Sequence, residues 1–99
     1  MFDLSLDIAE SNLEPYIQEF HADRVIDLGS MMDALEANDF EVIRRLAHQW
    51  KGFCKPCGFN WLGLKSQEIL SHAKEESRKA LMDDLLLVSQ YLDHKKEII

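Results

Sequence analysis

Turn-forming residues are scarce in this sequence. Only 4 glycines and 2 prolines occur among 99 residues, and runs of alternating apolar and polar residues are few, which argues against half-buried strands. Long apolar runs are missing too. None approaches the ~20 residues needed to span a bilayer. The opening residues, Met-Phe-Asp-Leu-Ser-Leu-Asp, put acids where a secretory leader carries cations, and no apolar h-region follows. The expected location is therefore the cytoplasm. Cysteine is confined to Cys54 and Cys57, expected to be reduced in that compartment. Cations are in the minority: 11 Lys and Arg stand against 18 Asp and Glu, for a net charge of -7. That balance disfavours nonspecific nucleic-acid binding, which needs cations to neutralise phosphates, and it disfavours anionic membranes.

What is present is a helical pattern. Hydrophobic residues make up 46% and charged residues 29% of the chain, values that suit a soluble globular domain. We expect one domain over residues 1–99, monomeric, with a modest core built from long elements. Apolar residues recur at three- and four-residue steps, an all-α pattern. Residues 1–11 are weakly patterned and read as an arm or a short extra helix. A long helix is expected from Asn12 or Glu14, with Pro15 in its first turn, where a missing N–H costs little. Its apolar face reads Leu13, Ile17, Phe20, Val25, Leu28, Met32 and Leu35. The spacing slips between Phe20 and Val25, so one bent helix and two joined ones both fit, and Gly29 is an unexplained weak spot.

Asn38 with Glu41 three residues on resembles a capping box, opening a helix from about Asp39 to Lys55 that Pro56 limits. Gly58 suits the C-terminal cap. A further segment starts near Asn60 and carries Leu62, Ile69, Leu70 and Ala73. The last starts at Ser77, a good N-cap, and carries Leu81, Leu85, Val88 and Leu92. Short connections imply antiparallel neighbours, hence an up-and-down four-helix bundle.

The segment from Asp39 to Cys57 is the informative one. At about 100° per residue, Ile43, Leu46, Ala47, Trp50, Phe53, Cys54 and Cys57 form one stripe, which must face the core. His48 falls nearly opposite, among Glu41, Arg44, Arg45, Lys51, Gly52 and Lys55. A lone histidine on a helix is usually either packed or inert, and the periodicity argues only against the first. Its neighbours add to the case. Side chains lean toward a helix N-terminus, so residues three and four positions on cover the one before. Gly52 has nothing to cover His48 with, and a glycine at an exposed helix position costs about 1 kcal/mol relative to alanine. Lys51 can reach back to the imidazole, where it would offset the charge of about -1.5 to -2 of a phosphoryl group. Arg44, Arg45 and Lys55 form a basic patch suited to docking a partner whose pocket is lined with carboxylates. A solvated helix face explains those three about as well. Neutral imidazole is a competent nucleophile near neutral pH. No Gly-rich phosphate loop or Walker pattern occurs, so the Mg²⁺ and carboxylates of phosphoryl transfer would come from the partner.

At these residues the sequence resembles a known family. Ala47-His48-Gln49-Trp50-Lys51-Gly52, followed by Gly58-Phe59, is similar to the His-x-x-Lys-Gly signature of histidine-containing phosphotransfer (Hpt) domains with its later glycine. The lead-in from Ala37 to Ala47 is similar too, and the likeness extends over roughly residues 12 to 95. The resemblance implies a four-helix bundle and a phosphocarrier, with no cofactor of its own, that takes and returns a phosphoryl group on Nε2 of His48. It implies Lys51 and Gly52 beside the group, and Gln67 as a candidate contact from the next helix. The implied partners are response-regulator receiver domains, with Mg²⁺ in the receiver, and a hybrid sensor kinase is a further candidate. The sequence departs from the pattern at Phe53, where the family has a small residue, and at Cys54-Lys55-Pro56-Cys57, where the family's helix continues. Pro56 is expected to bend the helix just past His48.

Two rival readings remain. Cys54-x-x-Cys57 matches half of a zinc site and the spacing of redox motifs, but zinc needs two further ligands and no second pair is present. Both cysteines lie on the apolar stripe, where reduced cysteine packs as a small hydrophobe. The other rival is a helical binding module or kinase inhibitor that performs no transfer. Trp50 is read as core and Trp61 is left open. Asp83-Asp84 and Lys95-Lys96-Glu97 read as solvated faces, and His21, His72 and His94 have no constellation around them.

Overall fold

The computed structural model describes residues 2–99. Four α-helices, α1 (Ile17–Glu36), α2 (Phe40–Phe53), α3 (Asn60–Lys74) and α4 (Arg78–Ile98), follow a 3₁₀ segment over Ser11–Tyr16. Each packs on its chain neighbours, and α1 closes the ring against α4. The all-α four-helix bundle is the architecture expected from periodicity. Among the described residues the only β-type pairing is an isolated bridge between Ala9 and Cys57, and no helix is long and apolar enough to cross a membrane.

The expected face of α1 needs correction. Pro15 lies in the 3₁₀ segment rather than in the first α-helical turn. α1 is one continuous helix whose buried positions include His21, Arg24, Leu28, Met31 and Leu35, at unbroken three- and four-residue steps. Val25 and Met32 are 46% and 37% exposed and do not belong to that stripe. The apparent slip arose because two core positions are polar. His21 Nε2 lies 2.7 Å from the Leu92 carbonyl. The Arg24 guanidinium sits over Phe20 and Phe53, 4.3 and 4.7 Å from the ring centres.

The capping box is also replaced. Asn38 has φ +56 and closes α1, with its N–H on Leu35 and the Asp39 N–H on Ala34. Asparagine tolerates this left-handed conformation better than most residues. The N-cap of α2 is Asp39, whose carboxylate accepts the Val42 N–H. Arg78, at the start of α4, donates to the Leu35 carbonyl and to Asn38 Oδ1 and so ties this corner to the opposite helix.

α2 ends at Phe53, two residues earlier than expected, so Pro56 lies in the following turn and bends nothing inside the helix. Gly58 closes the turn at φ +83, with its N–H on the Lys55 carbonyl. A Cβ there would lie 2.9 Å from the Ala9 backbone nitrogen, so both conformation and space require glycine.

Residues 2–10 form an arm rather than a helix. Its anchor is Asp7, which accepts from Tyr91 Oη, from the Trp61 N–H at 2.9 Å and from Lys95 Nζ at 3.1 Å. Lys95 also donates to the Gly58 carbonyl at 2.8 Å. Trp61 stacks on Tyr91 with ring centres 4.5 Å apart, and Phe2 meets both edge-on. Lys95 is therefore buried, contrary to the solvated-face expectation. So is Asp84, whose carboxylate holds Lys65 at 3.0 Å and His72 Nδ1 at 2.6 Å. Buried charges need such partners, because desolvating an ion without one costs several kcal/mol.

Candidate functional site

α2 divides cleanly into two faces. Ile43, Ala47, Trp50 and Cys54 are fully buried, while His48, Lys51 and Gly52 are exposed. Trp50 is fixed from within the fold, its indole N–H on Asp27 at 2.9 Å. That anchor sets the rotation of the helix, and with it the outward direction of His48. A Cβ built on Gly52 would meet nothing within 4 Å. Close packing therefore does not account for the glycine.

His48 lines an open groove of about 340 Å³ between α2 and α3, with Arg44, Arg45 and Gln49 from its own helix and Leu70 and Lys74 from α3. Glu41 at the rim binds Arg44. The hydrogen bond and the charge of Arg44 hold the Glu41 carboxyl below its usual range, and Glu41 in turn raises Arg44. Among the described residues, Arg45, Lys51, Lys55 and Lys74 form no ion pair. The groove thus presents an imidazole among cations of which only Arg44 has a partner, in a chain whose overall charge is negative.

Lys51, Lys55 and Gln67 meet in a neighbouring small groove, with Asn60, Gly63 and Leu64. Gln67 therefore shares a groove with Lys51 and Lys55, whereas the α3 residues in the His48 groove are Leu70 and Lys74. In the sequence Leu70 reads only as an apolar helix position, and nothing local marks Lys74 or Gln49. Their place depends on the register of α3 against α2, and no local pattern in either helix encodes that register.

The cysteines sit below this surface. Cys54 is fully buried and Cys57 half-buried, and both are free thiols. Burial pushes the Cys54 thiol up to about 12 and raises Cys57 as well, against the opposing charge of Arg24. A thiol held protonated is a poor metal ligand and a poor nucleophile. Among the described residues, no group of three or more His, Cys, Asp or Glu side chains is placed to hold a metal ion.

Comparison with protein-family models, curated proteins and solved structures returned no match to this chain. An exposed imidazole in an open groove with cations from two helices has the chemistry to accept a small anionic group.

Proposed function

We propose that the protein is a phosphocarrier that relays a phosphoryl group through His48 to and from receiver-domain aspartates, in the manner of the Hpt domains its motif resembles. The observation that carries this reading is the exposed His48 imidazole, set in a groove edged by Arg45 and Lys74, with Gly52 one turn further on bearing no side chain. In the forward step, the lone pair of neutral Nε2 attacks the phosphorus of an aspartyl phosphate. The P–O bond to the carboxyl breaks and the carboxylate leaves, producing a phosphoramidate on His48. The return step reverses this. Lys51, reaching back along the helix, and the groove cations offset the added negative charge. The partner supplies Mg²⁺ and the carboxylates around its aspartate, so this chain contributes a nucleophile and a docking face rather than an ATP-dependent activity of its own. Arg44, Arg45 and Lys55 form the basic part of that face.

The test is transfer from a phosphorylated receiver domain to the wild-type protein and to His48→Gln. Acid-labile label on the wild type and none on the variant supports the reading. A wild type that accepts nothing from any receiver of the same cell refutes it, and equal labelling of both moves the site elsewhere.

A further inference from the structure

α1 and α4 each carry a second stripe that the core does not use. On α1, one position after the buried stripe and at the same steps, come Ala22, Val25, Gly29, Met32 and Glu36, all exposed. On α4 the buried stripe runs through Leu81, Leu85, Val88, Leu92 and Lys95. One position later come Met82, Leu86, Ser89, Asp93 and Lys96, of which only Ser89 is half-covered. Since α1 packs on α4, the two outer stripes lie side by side. A groove of about 600 Å³ joins them at one end, between Val25 and Ile26 on α1 and Asp93 and Lys96 on α4. A groove of about 340 Å³ joins them at the other, between Met32 and Glu36 on α1 and Arg78 and Met82 on α4. Between its charged ends this face is largely apolar, with Val25, Ile26, Met32, Met82 and Leu86 all exposed.

Two features of this face bear on its occupant. The charges lie at the ends and are self-complementary: Glu36 with Arg78 at one, Asp93 with Lys96 at the other. Gly29 lies midway between Ala22 and Glu36, and a Cβ there would meet nothing within 4 Å. The fold itself thus has no use for a glycine that weakens α1 relative to alanine.

We propose that this face binds a second copy of the chain, about a two-fold axis that crosses the helices at the level of Gly29 and Leu86. Such an axis sets α1 antiparallel on α1 of the other copy, with the two glycines at the crossing, where the absence of side chains lets the backbones approach. It brings Glu36 of one copy to Lys96 of the other and Arg78 to Asp93, each contact occurring twice, as an isologous interface requires. The α2–α3 side that carries His48 faces away in both copies, so the dimer stands or falls independently of the phosphocarrier reading. It replaces the expectation of a monomer drawn from the sequence.

Sedimentation of the full chain from about 1 μM to 0.5 mM tests this. The wild type should show a reversible monomer–dimer equilibrium. Gly29→Arg should remain monomeric throughout while its melting temperature at the lowest concentration does not fall, since the new side chain meets open space in the monomer. Glu36→Lys should weaken the dimer about tenfold through like charge against Lys96, and adding Lys96→Glu should restore it to within about threefold. A wild type that stays monomeric at 0.5 mM overturns the proposal. A Gly29→Arg variant that still dimerises, or a charge swap that fails to restore, overturns it as well.

Discussion

Two polar clusters of this molecule make opposite use of charge. Beneath the N-terminal arm, the Asp7 carboxylate is surrounded by Lys95, Tyr91 and the Trp61 N–H, and Lys95 also reaches the Gly58 carbonyl. Every ion there has its counterion. On the α2–α3 side, His48, Arg45 and Lys74 edge an open groove, and among the described residues no carboxylate pairs with Arg45 or Lys74. The first arrangement fixes the arm and the end of α2 to α3 and α4. The second leaves positive charge and an imidazole turned to solvent. The difference yields a general expectation: changes in the first cluster should act on folding and spare transfer, and changes in the second should do the reverse.

The largest effect is expected at His48. His48→Gln should abolish receiver-dependent labelling while leaving stability within about 0.5 kcal/mol, as for other exposed substitutions away from structural features. A urea titration alongside the transfer assay checks both halves, and a large loss of stability would show that His48 has a structural duty the contacts do not reveal. Asp7→Ala is the converse. It leaves the Lys95 ammonium buried without its counterion and should cost about 3–5 kcal/mol. Label accepted per folded molecule should stay at the wild-type level. Transfer lost in proportion to nothing but Asp7 itself would mean that the arm belongs to the functional surface.

The same contrast explains what could be read from the sequence. α2 was legible because its faces differ sharply: apolar at Ile43, Ala47, Trp50 and Cys54, charged or bare at Arg44, Arg45, Lys51 and Gly52. The outward placement of His48 followed from that periodicity alone. α1 is harder to read because it carries two apolar stripes, and its core stripe includes His21 and Arg24, residue types that usually lie at the surface. Asp84 and Lys95 on α4 are hard to read for a related reason. What makes their burial tolerable is a counterion far away in the chain, Lys65 with His72 for one and Asp7 for the other, and helical spacing carries no trace of such partners. The His48 groove was half legible. Arg44 and Arg45 lie on the same helix at the spacing of one turn, but Leu70 and Lys74 arrive from α3 through packing.

Intermediate effects should come from the cations and from the buried thiol. Lys51→Ala should slow transfer several-fold without destabilising the bundle, since Lys51 is exposed and forms no ion pair; unchanged rates would remove its proposed role. Cys54 gives a pH signature instead. Its thiol ionises near 9.0 in an unfolded chain and only at about 12 in the fold, so between those values the unfolded state has released the proton and the native state still holds it. Stability should accordingly fall as pH rises from about 9 to about 12 and level off with respect to this group above that. Cys54→Ala, compared with the wild type in urea titrations across this range, should lose part of the slope. An identical slope would mean that the burial of Cys54 is not what drives the decline.

The smallest effect is expected at Gly52, and it should have two signs. In the fold, a methyl group there meets nothing, and alanine in place of an exposed helical glycine should stabilise α2 by about 1 kcal/mol. In the transfer complex, the same methyl group lies on the side chain that leans back toward His48, along the approach that a receiver's aspartyl phosphate must take. Gly52→Ala should therefore raise the urea midpoint and modestly lower the transfer rate, and Gly52→Gln should lower the rate much further with a similar midpoint. An activity cost that grows with side-chain size while stability does not is the mark of a glycine retained for access. If both variants transfer at the wild-type rate, Gly52 plays no part in exposing His48, and the local reading of the site contracts to the imidazole and its cations.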